Sequence, residues 1–216
     1  STGSMSTGRY EHTATLMGDG RVLVAGGYNG SSYVASAEIF DPNANGGIGA
    51  FTTTGNLATG SGSHTATRLP NGRVLLIGGQ SMSSQSAIVQ IFDPTGNGGI
   101  GAFTAMTSLN VARAAHTTTL LNDGRLLVTG GHNSTGFLSS AELYDASANA
   151  GLGASVNTAA MGAARYLDST TLMFGGIALV SGGFSGSGQV TLNEIFNPTG
   201  NSGAGTFTAT GNMVLS

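Results

Sequence analysis

The sequence predicts an all-β fold assembled from four four-stranded units. Three observations carry that expectation. A set of motifs recurs every 52 residues without insertion or deletion, short apolar runs are closed by paired glycines, and no window sustains a 3.6-residue apolar stripe. The paired glycines are Gly26-Gly27, Gly78-Gly79, Gly130-Gly131 and Gly182-Gly183. One register holds His12, His64 and His116, with Asp168 in the fourth copy. Another holds Phe40-Asp41-Pro42, Phe92-Asp93-Pro94, Tyr144-Asp145-Ala146 and Phe196-Asn197-Pro198. A later aromatic falls at Phe51, Phe103 and Phe207, with Ser155 as the gap.

The elements follow in order within one unit. The first strand is His12 to Met17, rich in Thr and small residues. Asp19-Gly20 then makes a tight turn, because this pair tolerates the positive φ that hairpin turns need. The second strand is the apolar run Arg21 to Ala25, ended by Gly26-Gly27. A polar Gly/Ser/Asn loop follows, and Ala35 to Phe40 is the third strand. Asp41-Pro42 stops it, since proline has no N–H for the ladder. Residues 43–49 form a Gly/Asn loop, and Ala50 to Gly55 is the fourth strand. Four strands per repeat of this length describe a propeller blade. The expected blades are 9–60, 61–112, 113–164 and a drifted fourth, 165–216, with residues 1–8 repeating the end of a fourth strand. The segments at the two ends duplicate one another, so three arrangements stand open: an excerpt of a longer array, a larger ring closed by several chains, or a four-bladed ring.

The unit resembles the Kelch repeat. The residues that carry the resemblance are Arg9-Tyr10-Glu11-His12-Thr13-Ala14-Thr15, Asp19 to Gly27, Ala37 to Pro42 and Phe51 to Leu57. They match the bacterial form R-x-x-H-T-A-T-x-L-x-D-G-R-V-L-V-x-G-G, A-E-I-F-D-P and F-T-x-T-G-x-M, and the likeness runs through the whole chain four times over. It implies a Kelch-type β-propeller and says little of activity, because propellers host many functions. Galactose oxidase has a propeller similar to this repeat. The copper-radical chemistry implied by that likeness uses a Tyr crosslinked to a Cys, and this chain has no Cys, so the implied cofactor is not expected.

Composition narrows the function classes. Of 216 residues 37 are Gly, only 8% are charged, and all basic residues are Arg. Without cysteine there is no disulfide scaffold, thiolate metal site or cysteine nucleophile. A net charge of −3 with no basic cluster argues against nucleic acid as a partner. No apolar run reaches the length of a membrane span.

Three constellations have candidate chemistry. His12, His64, His116 and Asp168 would converge on a metal if four blades closed round one axis; the structural alternative is a histidine that ties neighbouring blades by hydrogen bonding. Asp41, Asn43 and Asn45 before Gly46 resemble the opening of a calcium loop. Thr52 stands where that loop wants Glu, so an Asp-initiated turn is the expected reading. Glu38, Glu142 and Glu194, with Gln90 in the second copy, form one repeated series, and Arg21, Arg73 and Arg125, with Ile177 in the fourth copy, form another; both are expected to tie strands or blades together, a polar binding rim being the alternative. No catalytic, metal or cofactor residue is assigned.

The expected function is therefore non-enzymatic: a binding or structural module that takes a protein or glycan on its blade-connecting loops. Those loops span 28–34, 80–87, 132–138 and 184–190 and carry Tyr28, Tyr33, Met82, His132, Phe137 and Phe184. The alternatives are a building block that self-assembles with further copies, since low charge opposes association weakly, and a metal-dependent enzyme with an axial His/Asp site. Absence of Cys and Lys with Gly/Ser/Thr/Asn richness resembles bacterial surface or secreted repeat proteins, and an extracellular or cell-surface location is expected.

Overall fold

The computed structural model describes residues 2–214. The chain divides into two compact units, Ser1–Met106 and Thr107–Ser216. In the first unit, β1 (Thr13–Leu16), β2 (Val22–Ala25), β3 (Ala37–Asp41) and β4 (Ala50–Thr53) form one antiparallel sheet in chain order. A second sheet repeats it with β5 (Thr65–Arg68), β6 (Val74–Ile77), β7 (Val89–Asp93) and β8 (Ala102–Met106). The second unit holds β9 (Thr117–Leu120), β10 (Leu126–Thr129), the short hairpin β11 (His132–Asn133) and β12 (Gly136–Phe137), then β13 (Ala141–Asp145) and β14 (Ala154–Asn157). It continues with β15 (Ser169–Leu172), β16 (Ala178–Ser181), the hairpin β17 (Phe184–Ser185) and β18 (Gly188–Gln189), β19 (Glu194–Asn197) and β20 (Thr206–Ala209). Each four-stranded sheet is an up-and-down meander, and the strands fall where the repeat predicts them.

Sheets pack face to face within each unit. The forward face of the first sheet presents Met17, Leu23, Ala37 and Ile39 to the rear face of the second, which presents Val74, Leu76 and Phe92. In the second unit Leu121, Leu127, Ala141 and Leu143 meet Ala178 and Phe196 in the same way. Alternation along a strand thus sends odd and even residues into different interfaces, so both faces of an inner strand read as apolar. On the rear face a cross-strand aromatic pair recurs: Phe40 with Phe51, Phe92 with Phe103 and Phe196 with Phe207, each with ring centroids 4.9 Å apart. The fourth pair is Tyr144 opposite Ser155. Tyr144 is fully buried, its hydroxyl donates to the Thr107 carbonyl at 2.8 Å, and desolvation pushes its pKa up to about 12.

The paired glycine is the docking point between sheets. Gly27 N–H donates to the Ser61 carbonyl of the next sheet at 2.8 Å, and Gly131 N–H to Arg165 at 2.9 Å. A Cβ on Gly26 would collide with that Ser61 oxygen and with the His64 ring, so no side chain fits there.

The residue that supplies this carbonyl also clamps its own sheet when it is arginine. Arg9 Nη1 donates to Gly26 and Ser36 carbonyls, and its Nη2 meets Glu38 at 2.9 Å. Arg113 holds Gly130, Ser140 and Glu142, and Arg165 holds Gly182, Leu192 and Glu194. All three guanidinium groups are fully buried. The other arginine series pairs elsewhere: Arg21 and Arg125 with Asp19 and Asp123 in their own hairpins, and Arg73 with Asp93. The true partner lies 29 residues upstream of each Glu, out of reach of any local pattern.

In the second sheet both members of the pair are replaced together. Ser61 takes the arginine register and Gln90 the glutamate register. Gln90 still accepts the Ala58 N–H at 2.7 Å, as Glu38, Glu142 and Glu194 accept Ser6, Asn110 and Gly162. The volume vacated by the guanidinium remains as a cavity of about 10 Å³ lined by Ser61, His64 and Gln90 among others, about the space for one water centre.

The loop at 43–49 holds the second departure from a plain loop. Ala44–Gly47 makes a single turn in which Asn45, Gly46 and Gly47 have φ of 53°, 68° and 86°. The turn recurs at Asn97, Asn149 and Asn201. Asn tolerates this left-handed region better than other non-glycine residues. Ala150, at φ 55°, has no such excuse and is strained.

Two outcomes test these packing arguments. Ala150→Gly should raise stability by about 1 kcal/mol in denaturant unfolding. Arg113→Ser should cost about 3–5 kcal/mol by stranding the Glu142 carboxylate, and adding Glu142→Gln should recover part of that loss, as the second sheet already does.

Candidate binding site

The six loop residues singled out from the sequence fall into two groups, one in each unit. In the first unit a backbone bridge joins Tyr10 to Tyr28, and another joins Tyr28 to Tyr33. The three rings pack edge to face, with centroids 5.4 Å apart for Tyr10–Tyr28 and 5.0 Å for Tyr28–Tyr33. Met82 and Ser81 complete an open recess of about 350 Å³ with these rings. Behind Tyr33, Gln80 Nε2 donates to the Tyr33 Oη at 2.7 Å, and Glu11 accepts the Ser63 Oγ hydrogen at 3.1 Å. Burial, and then the Glu11 charge, raise the Tyr33 pKa. Tyr33 is therefore a neutral phenol.

In the second unit His132, Phe137 and Phe184 gather round Tyr166. Phe137 stacks on Tyr166 at 4.9 Å with the planes 9° apart. His132 meets it edge-on at 5.8 Å, and Phe184 is tilted at 6.2 Å. The loops bearing these residues are short hairpins, with Asn133 Oδ1 accepting the Thr135 N–H in the first turn.

Tyr10 and Tyr166 organise the two groups, and sequence reasoning passed over both. They occupy the position two before the His/Asp register, where the other copies have Gly62 and Ala114. The intervening residue is left-handed in every copy, at Glu11, Ser63, Ala115 and Leu167 with φ between 52° and 57°. That kink lays residue 10 or 166 alongside the loop after the paired glycines. A residue before a strand is easily read as mere lead-in. The signal for its role was the aromatic identity itself, in two copies of four.

His64, Asp168 and the Asp41 series make contacts between and within sheets. His64 Nε2 lies 2.9 Å from Thr13 Oγ1 of the preceding sheet. Asp168 accepts Thr129 Oγ1 at 3.0 Å and its carbonyl accepts Thr117 Oγ1 at 2.7 Å. The register thus ties the first strands of neighbouring sheets within each unit. Asp41 uses Oδ1 to accept the Asn43 N–H at 2.8 Å, and Asp93, Asp145 and Asn197 repeat this Asx turn. Among the described residues no group of three or more His, Cys, Asp or Glu side chains stands together as a metal site.

Comparison with known proteins agrees with this architecture. The Kelch motif family model matches residues 9–45. The solved structure of YjhT is 15% identical with a TM-score of 0.72, over 97% of this chain and 71% of that one. A fungal alcohol oxidase of the AA5 family, solved in complex with copper, is 16% identical with a TM-score of 0.55, over 96% of this chain and 54% of that one. The chain thus spans about half the length of that oxidase. No curated protein matches the sequence. The chain carries a Kelch motif, and its fold is all-β and of the Kelch-propeller type. The residues present do not fit the copper-radical group: the chain has no cysteine for the Tyr–Cys crosslink, and His132, which lies beside Tyr166 in the second unit, is not joined among the described residues by a group of three or more His, Cys, Asp or Glu side chains.

Two buried residues of this register, His64 and Asp168, respond to acid with opposite sign. Burial lowers the His64 pKa from 6.5 to about 4, so the unfolded chain takes the proton first as pH falls. Stability of the first unit should drop between pH 6.5 and about 4, by about 3 kcal/mol in all. Burial raises the Asp168 pKa from 3.8 to about 6, so the folded second unit takes the proton first. Its stability should rise as pH falls through 6 towards 3.8. Amide exchange followed separately in β5–β6 and β15–β16 checks both signs. Asp168→Asn should stabilise at pH 8 by about 2–3 kcal/mol and have little effect at pH 4.

Proposed function

We propose that the chain is a non-enzymatic binding module that takes a protein or glycan on its aromatic loop groups. The observation that carries this reading is the Tyr10, Tyr28 and Tyr33 group, which opens with Met82 and Ser81 onto a recess of about 350 Å³. Tyrosines offer large, rigid contact faces at small conformational cost, with a hydroxyl for orientation. Tyr10 is 55% exposed and Met82 69%, so much of that surface is available to a partner. Gln80, Ser81 and the adjoining Ser83, Ser84 and Gln85 add uncharged donors and acceptors beside it. The Phe137–Tyr166 stack provides a comparable surface in the second unit. Lack of Cys and Lys, with Gly/Ser/Thr/Asn richness, supports an extracellular or bacterial cell-surface setting. No helix among the described residues is long and apolar enough to cross a membrane.

Glycan arrays and displayed peptide libraries probed with the purified chain test the reading. Ligands recovered this way should bind Tyr10→Ala and Tyr28→Ala at least about 30-fold more weakly, the range of a contact hot spot. Undiminished binding by both variants refutes the site. Alcohol oxidation by the chain supplied with copper refutes the non-enzymatic assignment.

A further inference from the structure

We propose that the loop 80–87 of the first unit takes a neutral oligosaccharide, one sugar ring against the tyrosine group and the next over the slot that arginine leaves empty in the second sheet. The inference rests on the binding role proposed for the tyrosine group and gives that role its ligand class. Its basis is the meeting of two recesses. Ser81 borders the tyrosine recess. It also borders a neighbouring recess of about 270 Å³, to which Ser83, Ser84, Gln85 and Ser86 contribute beside Ser61. Ser83 and Ser84 are exposed and Ser61 is buried, so Ser61 lies at the floor. The cavity of about 10 Å³ beside His64 and Gln90 shares Thr59, Ser61, Ser86 and Ile88 with this recess. The empty arginine register is therefore the bottom of an open recess.

The other copies show what chemistry the slot accepts. There an arginine donates to two backbone carbonyls, those of Gly26 and Ser36 in the first sheet and of Gly130 and Ser140 in the third. The equivalent residues of the second sheet are Gly78 and Ile88, and both line the cavity. Ser61 Oγ reaches the Gly78 carbonyl only at 3.4 Å, beyond the usual length of a hydroxyl hydrogen bond. The slot thus calls for a donor the size of a water oxygen, and a sugar hydroxyl is such a donor.

Charge and shape exclude the competing ligands. An anion would meet carbonyl oxygens with no cation beside them, and a cation would meet Gln90 where the other copies have a carboxylate. A run of prolines has no N–H to give the floor. No charged residue among the described residues lines either recess. Serine and glutamine side chains both donate and accept, as sugar hydroxyls do. The tyrosine rings offer apolar faces to the C–H side of a sugar.

Calorimetric titration of the purified chain with unsubstituted gluco-, manno- and galacto-oligosaccharides, from mono- to tetrasaccharide, tests the inference. Sialylated and sulfated glycans and a proline-rich peptide serve as comparisons. One neutral series should bind, and its disaccharide more tightly than its monosaccharide. Ser61→Arg with Gln90→Glu rebuilds the clamp of the other copies, so this double variant should keep the wild-type circular dichroism spectrum. It should bind the disaccharide at least about 10-fold more weakly and the monosaccharide as before. If it fails to fold, Ser84→Trp, at an exposed position of the same recess, takes its place. A ligand that depends on Tyr10 and Tyr28 but binds the double variant undiminished overturns the inference and leaves the binding role standing. Binding of the acidic glycans or the peptide alone, or of no probe, also overturns the inference. A ligand indifferent to Tyr10→Ala and Tyr28→Ala overturns the binding role beneath it.

Discussion

One residue of the fourth repeat, Arg165, joins its own sheet together and ties it to the sheet before. At position 165 the backbone carbonyl accepts the Gly131 N–H of the preceding sheet. The side chain of the same residue binds two carbonyls and a carboxylate of its own sheet. An arginine suits both tasks because its planar fork has five donors and stays charged when buried. The glycines either side of the contact exist to let this residue approach. The glutamate exists to neutralise it, and its second oxygen holds the chain that leads in from the previous sheet. The bare glycine beneath the contact follows from that close approach.

The second sheet shows which part is indispensable. With Ser61 in place of arginine, the carbonyl contact to Gly27 survives and the ion pair does not. Sheet-to-sheet docking therefore rests on the backbone, and the charge pair sets geometry within a sheet. This agrees with the modest net worth of buried ion pairs, whose attraction is offset by desolvation.

Much of the fold was legible in the sequence because its determinants are local. Asp19-Gly20 specifies a turn, Pro42 a stop and Val22 to Ala25 a strand, each within a few residues. The 52-residue period then multiplied that information by four. What stayed hidden depends on contacts across the sheet or between sheets. The partner of Glu38 is Arg9, which the Kelch pattern includes but whose task no spacing rule reveals. Tyr10 and Tyr166 gain their roles from the left-handed residue that follows each, a backbone state that Glu11 and Leu167 do not advertise. The loops 28–34, 80–87, 132–138 and 184–190 were legible as segments between strands, while the gathering of their aromatic residues into two groups needed coordinates.

The joint absence of both charges from the second sheet shows why neither is replaced alone. Without the arginine, a carboxylate would stand enclosed with no cation beside it. With glutamine in place of glutamate and the arginine kept, one amide oxygen would face two donors, the guanidinium and the lead-in N–H, which two carboxylate oxygens serve in the first sheet, and the buried cation would have no anion beside it. With both replaced, the amide oxygen serves the lead-in N–H alone, as Gln90 serves Ala58. The uncharged pair is thus a self-consistent alternative to the charged one at the same two positions.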